Sequence, residues 1–150
     1  MPIKRLLTAQ RVAVPSLART KDQVLTELVT LAAPNSSVQS ELLAAVRARE
    51  ATFPTALGDG VAFPHIRTAL VDSLTVSACV LDDPIAFGAA DGNPVDLLFL
   101  VLSPTNAPSE HLSMLRSLSR LIADAEVRFR LRHASDADAF IAVVNAAVFA

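Results

Sequence analysis

Apolar residues recur at two different spacings along the chain, and these spacings separate predicted helices from predicted strands. Thr20 and Gln23 form a capping-box pattern, after which apolar residues return at helical spacing. A second helix is expected after Pro34, with Ser37 as its N-cap. The two apolar stripes are Val24, Leu25, Leu28, Leu31 and Ala32 in the first helix and Val38, Leu42, Ala45 and Val46 in the second. They predict two consecutive helices joined by a short turn.

The middle of the chain changes to patterns that are typical of strands. Residues 61–63 form a short apolar stretch between helix breakers, which predicts either a strand or an extended loop. Residues 74–81 alternate with period two, which predicts a half-buried strand. A separate short strand is expected at residues 85–87, followed by a turn at 91–94. Residues 95–102 are almost uniformly apolar, so they are predicted to form a central strand that is covered on both faces.

Two further helices are predicted near the end of the chain. Ser109 is the expected N-cap of one that runs to about residue 124, and Ser135 opens the last. Their predicted inward faces are Leu112, Leu115, Leu118, Leu121 and Ile122 in the first, and Ala139, Phe140, Val143 and Val144 in the second. The order of helices, strands and helices predicts one α/β domain over residues 1–150, with a single mixed sheet flanked by helices.

Composition excludes several classes of protein. The mean hydropathy is high, at +0.44, but the longest apolar runs, 97–102 and 139–144, are far shorter than the roughly 20 residues of a membrane-spanning helix. No apolar secretory segment follows Lys4 and Arg5, so a cytoplasmic protein is expected. A net charge of −2 argues against nucleic-acid binding, and Arg128, Arg130 and Arg132 are expected on the solvated face of a short element.

The single cysteine and the spacing of the histidines argue against a metal or redox site. One cysteine permits neither an internal disulfide nor a Cys-x-x-Cys motif, and Cys79 within the alternating strand is expected to be a small, semi-buried residue. His65, His111 and His133 match no helical metal-ligand spacing. His133 is expected to face solvent or to cap the end of the preceding element.

Residues 49–65 are the most informative segment for function. Gly58 and Gly60 can adopt positive φ, while Pro64 fixes its own φ and restricts Phe63. The backbone is therefore expected to be stiff on the loop from which His65 emerges, so that one ring nitrogen is presented in a fixed direction. An exposed turn histidine without function is the alternative.

A second histidine falls in the first turn of the helix that is predicted to start at Ser109. Free backbone N–H groups and the helix dipole favour an anion near His111 and disfavour its protonated form. A neutral His111 can donate a hydrogen bond to a phosphate oxygen. A surface histidine near a helix start is the alternative interpretation.

These residues together resemble a known family. The matching positions are Arg49, Glu50, Thr55, Gly58, Gly60, Ala62, Pro64 and His65, then Val95, Asp96 and Leu97, then Glu110, His111 and Leu112 with Leu115, Leu118 and Leu121. They resemble the IIA domains of the fructose/mannitol class of the bacterial phosphoenolpyruvate-dependent sugar phosphotransferase system, including its nitrogen-regulatory branch. The resemblance extends over about residues 4 to 145 and implies the corresponding α/β sandwich.

The resemblance implies a function and roles for particular residues. It implies that His65, through Nε2, accepts a phosphoryl group from the phosphohistidine of the carrier protein HPr. His65 then passes the group to a cysteine of a IIB domain or keeps it as a regulatory mark on a partner-binding module. Arg49 is implied as the phosphate-stabilising arginine, His111 as the partnering imidazole and Thr55 as a supporting hydroxyl or a turn-stabilising residue. No metal or organic cofactor is implied, and the rim of the site is expected to be apolar.

The chain departs from the family pattern at four positions. Phe53 and Pro54 stand where a Gly-Ser pair is frequent, and Ala56 and Ile66 each stand where glycine is frequent. A β-branched residue adopts positive φ only at a cost. Either no left-handed turn is needed at Ile66, or the site is remodelled. A IIA-like scaffold that has lost phosphotransfer is therefore a third hypothesis.

Overall fold

Six helices, six strands and a single 3₁₀ turn at Ala9–Arg11 make up residues 3–148, the part of the chain that this computed structural model describes. The helices are α1 (Ile3–Leu6), α2 (Lys21–Ala32), α3 (Gln39–Thr52), α4 (Pro108–Ala123), α5 (Ala125–Arg132) and α6 (Ala137–Val148). The strands are β1 (Val12–Ser16), β2 (Ala56–Gly58), β3 (Val61–Ala62), β4 (His65–Thr68), β5 (Thr75–Ile85) and β6 (Val95–Pro104). None of the helices in this described part is long and apolar enough to cross a membrane.

The strands form one mixed sheet, which confirms the predicted fold class. Its order is β1-β5-β6-β3-β2. β4 also pairs with β6, further along that strand than β3 does. β5 and β6 are antiparallel, whereas β1 is parallel to β5, and β3 and β4 are both parallel to β6. β1 is not predicted from the sequence because Pro15 interrupts its apolar pattern. Proline is tolerated there because β1 is an edge strand.

Helices cover both faces of the sheet, and β6 is central as predicted. The side chains of Leu97, Phe99 and Val101 pack on the side of α4, α5 and α6. Those of Leu98, Leu100 and Leu102 pack on the opposite side, against α2 and α3. Each residue from 97 to 102 is therefore fully buried, as is typical of a strand between two layers.

The prediction for β5 is wrong in two respects. Residues 76–81 are all buried, not half-buried, because helices cover both faces of the strand. The separate strand predicted at 85–87 does not form; β5 continues to Ile85, and its register against β6 shifts between Val80 and Ile85. Cys79 is correspondingly fully buried, and burial raises the pKa of its thiol well above the usual value.

Helix starts are only partly as predicted. Thr20 caps α2 by accepting a hydrogen bond from the Gln23 backbone N–H, which confirms that prediction. Three predicted serine caps are wrong: α3 and α4 follow Val38 and Ala107, neither of which makes a side-chain cap, and at α6 Asp136 takes the place of the serine. Ser36 bonds the Val38 N–H ahead of α3, Pro108 begins α4 without needing its missing N–H, and Asp136 accepts from Ala139 at the start of α6. The predicted N-caps that do not form are Ser37, Ser109 and Ser135.

The turn between β2 and β3 holds the segment that leads to His65. Gly58, Asp59 and Gly60 all adopt positive φ. Arg132, at the end of α5, pairs with Asp96 at 2.9 Å and donates to the Asp59 carbonyl oxygen. Arg132 is therefore a bridge between the turn and β6, and not a residue of a purely solvated face. After β3 the chain passes through a proline at position 64 and enters β4, beside the same strand, β6.

Candidate functional site

His65 is the first residue of β4, whereas the sequence predicts a loop at this position. Its half-buried ring places Nδ1 2.7 Å from the carbonyl oxygen of Phe63. A carbonyl oxygen only accepts hydrogen bonds, so this contact assigns the ring hydrogen to Nδ1. In the neutral ring, Nε2 then carries a lone pair. The backbone before Pro64 thus fixes both the orientation and the tautomer of His65.

His111 lies close to His65, on α4. The two ring centroids are 5.5 Å apart, and His111 is only 6% exposed. Its Nδ1 is 2.6 Å from the hydroxyl oxygen of Ser103, which is fully buried on β6. Burial lowers the pKa of His111, and its electrostatic interactions with His65 and Arg67 lower it further. His111 is therefore neutral at neutral pH.

The inward face of α4 differs from the predicted stripe. Its buried residues are His111, Met114, Leu118 and Leu121, while Leu112 is 61% exposed. The apolar pattern alone favours Leu112 as the inward residue, because it treats a histidine as polar and outward. The helix is instead turned so that the imidazole occupies the core side, where Ser103 provides a polar partner.

Arg49 lies in the last turn of α3 and lines the same groove as the two histidines. Its Nη1 donates to the Phe53 carbonyl oxygen at 2.8 Å, which holds the guanidinium over the segment that follows the helix. Arg49, His65 and His111 all line one open groove of about 410 Å³. Three residues that are distant in sequence therefore meet around a space large enough for a phosphoryl group.

Thr55 is held by a buried carboxylate. Its backbone N–H and its hydroxyl both donate to Glu50, at 3.0 Å and 2.7 Å to the nearer oxygen. Glu50 is 3% exposed and lies 3.9 Å from the Lys21 ammonium. Because the Thr55 hydroxyl hydrogen is engaged by Glu50, these contacts are those of a turn-stabilising residue. The phosphate-supporting role of Thr55 stays a prediction.

An apolar groove adjoins the polar one. It has a volume of about 270 Å³ and shares Arg49 and His65 with its neighbour. Its remaining lining is Phe53, Pro54, Thr55, Ala56, Leu57, Phe63, Leu115 and Ser119. Phe53 and Leu57 are 69% and 55% exposed, and so form part of an apolar rim beside His65. This is the kind of surface that transient protein partners cover.

Two residues of the site are missed from the sequence, and a third, Glu50, is recognised only as a position that resembles the family, with no role assigned to it. Arg67 lines the groove with His65, because residues two apart in a strand share a face. It pairs in register with Ser103 on β6, which places both on the side of His111. Ser103 is a polar residue directly after an apolar run, and Glu50 continues the helical stripe of Leu42 and Val46. A polar residue that interrupts an apolar pattern is thus the sequence signal for both Ser103 and Glu50.

Ile66 does not require a left-handed backbone. It lies within β4, opposite Leu102, and its side chain packs in the core beneath α2 and α3. Among residues 3–148, the only non-glycine residues with positive φ are Asn35 and Asp59. Of the two alternatives at this position, the backbone matches the one in which no left-handed turn is needed.

His133 and the acidic residues add no further ligand set. His133 ends α5, exposed, with its ring stacked on Phe129 at a centroid distance of 4.0 Å. In the part of the chain that the structure describes, no group of three or more His, Cys, Asp and Glu side chains is arranged to hold a metal ion. The chemistry of the groove is thus that of two imidazoles and two guanidinium groups.

Comparison with known proteins gives the family. Residues 5–147 match the family described as the phosphoenolpyruvate-dependent sugar phosphotransferase system, EIIA 2, and the chain belongs to that family. A nitrogen regulatory protein of Pseudomonas aeruginosa is 37% identical over 145 residues, which cover 95% of this chain and 94% of the relative.

Two solved structures resemble the fold. The nitrogen regulatory protein IIA-Ntr of Neisseria meningitidis superimposes with a TM-score of 0.88 at 31% identity, covering 95% of this chain and 98% of the other. The mannitol IIA enzyme of Escherichia coli, solved in complex with phosphorylated mannitol IIB, gives a TM-score of 0.75 at 22% identity. That match covers 94% of this chain and 99% of the other and shows the shared fold.

Proposed function

We propose that this protein is a phosphohistidine phosphocarrier of the phosphoenolpyruvate-dependent sugar phosphotransferase system. It accepts a phosphoryl group from HPr on Nε2 of His65 and passes the group to a cysteine of a IIB domain. One observation carries the proposal: Arg49, His65 and His111 line the same groove, and the Phe63 carbonyl leaves Nε2 of His65 with its lone pair. We further propose that the protein acts in the cytoplasm, as its sequence predicts.

The transfer needs a positioned nucleophile and little else. The Nε2 lone pair of His65 forms a bond to phosphorus while the N–P bond of the donor phosphohistidine breaks, and its electron pair returns to the donor ring. Onward transfer forms an S–P bond with a cysteine thiolate and returns an electron pair to Nε2. Such in-line transfers depend mainly on alignment and charge stabilisation. Neither a metal nor an organic cofactor is part of the proposal.

The charges around the groove suit the phosphorylated state. A phosphoryl group adds about −1.5 to −2 charges at neutral pH. Arg49 uses Nη1 for the Phe53 carbonyl, and its other N–H groups remain for phosphate oxygens. Arg67 supplies a second positive charge on the same groove, and neutral His111 supplies a hydrogen bond.

Partner proteins are proposed to dock on the apolar rim. The exposed side chains of Phe53 and Leu57 are available for a small interface of the kind that forms and dissociates quickly. HPr and a IIB domain are the partners we propose, and the mannitol IIA enzyme with this fold was solved with its phosphorylated IIB.

A second candidate function is regulatory. In it, the phosphorylation state of His65 controls binding to a protein partner through the charge on the docking surface. This candidate is supported by the 37% identity to a nitrogen regulatory protein over 95% of this chain. The third hypothesis, a scaffold without phosphotransfer, is based on Ile66 at a position where glycine is frequent. Because Ile66 lies in an ordinary strand, its backbone gives this hypothesis no support.

The test is phosphorylation in a reconstituted cascade. The protein is incubated with phosphoenolpyruvate, the first enzyme of the system and HPr, and its intact mass is measured. We expect an acid-labile gain of about 80 Da on the wild type and on His133→Ala, and none on His65→Ala. No gain on the wild type, or an equal gain on His65→Ala, would refute the proposal.

A second experiment separates the carrier from the regulator. The phosphorylated protein is mixed with IIB domains, and loss of its phosphoryl group to a IIB cysteine is followed by mass. Transfer to IIB supports the carrier function. If the wild type and His65→Asp instead capture different partners and no IIB domain accepts the group, the regulatory function is the correct one.

A further inference from the structure

Ser103 makes a buried contact with His111 that the proposed phosphotransfer does not by itself explain. The Ser103 hydroxyl oxygen lies 2.6 Å from Nδ1 of His111, with Ser103 fully buried and His111 6% exposed. Two arrangements fit this distance. Either the hydroxyl donates to Nδ1, or Nδ1 carries the ring hydrogen and donates to the hydroxyl oxygen.

The surroundings of Ser103 distinguish the two arrangements. If Nδ1 were the donor, the hydroxyl hydrogen would need a second acceptor. Among the described residues, His111 is the hydrogen-bond partner of the Ser103 hydroxyl, and no other contact accepts from it. A buried hydroxyl hydrogen without an acceptor is unfavourable, whereas donation to Nδ1 satisfies both groups. The hydroxyl is therefore the donor.

We propose that Ser103 is a positioning residue that fixes His111 as the tautomer with its hydrogen on Nε2. The two histidines of the groove then hold opposite tautomers. His65 donates through Nδ1 to the Phe63 carbonyl and presents a lone pair on Nε2. His111 accepts through Nδ1 and presents an N–H on Nε2. One ring serves as the acceptor of the phosphoryl group, and the other as a donor to its oxygens.

The neutral charge of His111 makes the tautomer decisive. Burial and the electrostatic interactions with His65 and Arg67 lower its pKa, so at neutral pH the ring holds a single hydrogen. That hydrogen stabilises a phosphoryl oxygen only when it is on Nε2. The role in transfer rests on the proposed function, whereas the tautomer is a property of the unphosphorylated protein.

Nitrogen NMR of the imidazoles tests the tautomer directly. In the unphosphorylated wild type at neutral pH, we expect couplings and shifts of His111 that place the hydrogen on Nε2. In Ser103→Ala, we expect a measurable fraction with the hydrogen on Nδ1 and a raised His111 pKa, because the neutral ring loses a hydrogen bond. Ser103→Thr keeps a hydroxyl and is expected to retain the wild-type signature.

A matched control removes a different buried hydroxyl. Ser77 on β5 is also fully buried, and its hydroxyl donates to the Leu28 carbonyl at 2.8 Å, away from His111. Ser77→Ala is expected to leave the His111 tautomer and pKa unchanged. A wild-type His111 with its hydrogen on Nδ1, or a Ser103→Ala variant with the wild-type tautomer and pKa, would overturn the proposal.

The reconstituted cascade then tests whether Ser103 contributes to phosphotransfer. We expect Ser103→Ala to lower the maximal rate of phosphorylation by about two- to tenfold, because only the fraction with the correct tautomer is competent, with little change in KM for HPr. A wild-type rate in Ser103→Ala would overturn the role in transfer. Failure of the wild type to accept a phosphoryl group refutes the proposed function, while the NMR result still decides the tautomer.

Discussion

Glu50 is expected to be one of the most sensitive charged positions outside the groove. Its carboxylate accepts both donors of Thr55 and pairs with Lys21, while the residue itself is almost fully buried. Glu50→Gln preserves the size of the side chain but removes the charge and turns one oxygen into a donor. Both Thr55 donors, each of which lies within 3.2 Å of both carboxylate oxygens, must then share the one remaining carbonyl oxygen as their acceptor.

The magnitude follows from these contacts. Hydrogen bonds to a charged group contribute about 1.5–3 kcal/mol each, against about 1 kcal/mol for neutral ones, so weakening both Thr55 bonds costs about 2 kcal/mol. The Lys21 ammonium is about one-third exposed, so its pair adds only about 0.5 kcal/mol. We expect the free energy of unfolding to fall by about 2–3 kcal/mol, or the melting temperature by about 5–10 °C.

The assay is urea unfolding followed by circular dichroism, since the chain contains neither Trp nor Tyr. The urea midpoint should fall while the m-value stays constant. Glu41→Gln, at an exposed position on the same helix, is the matched control and should change stability by less than about 0.5 kcal/mol. A Glu50→Gln variant as stable as this control would refute the reasoning.

Two further predictions concern the turn at Gly60 and the burial of His111. Gly60→Ala and Gly92→Ala both introduce a side chain at positive φ, but only at Gly60 would the new Cβ lie 2.6 Å from Arg132. Gly60→Ala should therefore lose about 1 kcal/mol more stability than Gly92→Ala, as measured from urea midpoints. Equal losses in the two variants would contradict the contact with Arg132. Because the pKa of His111 is lowered, the unfolded chain binds its proton more readily. Wild-type stability should thus fall as pH drops below about 6.5, and less steeply in His111→Gln; equal slopes would contradict this.

The sequence predicts the position of β6 well because an unbroken apolar run indicates a strand that is covered on both faces, whereas the period-two pattern of β5 understates its burial. The apolar run of β6 and the cap at Thr20 are both local patterns. Helix starts elsewhere are less predictable, because several adjacent polar residues are able to bond the first N–H groups. At α4, Pro108 takes the first position, and Ser109 is the second residue of the helix.

The site is only partly predictable, for a different reason. Arg49, His65 and His111 are found through their resemblance to family members, and the structure brings them to one groove. Arg67 becomes part of the site only through the pairing of β4 with β6, whereas Ser103 does so through the packing of α4 on β6. That pairing joins residues far apart in the chain, so no local pattern reveals it.

The alternation of β6 has a consequence for how the protein tolerates insertions and deletions. Leu102 and Ser103 are adjacent, yet one lies in the core under α2 and α3 and the other touches His111 on the opposite side. Adding or deleting one residue within the strand would exchange their faces. A leucine would then meet the imidazole, and a hydroxyl would enter an apolar layer. The register of β6 therefore determines both the apolar core and the polar groove, and a shift in that register changes both together.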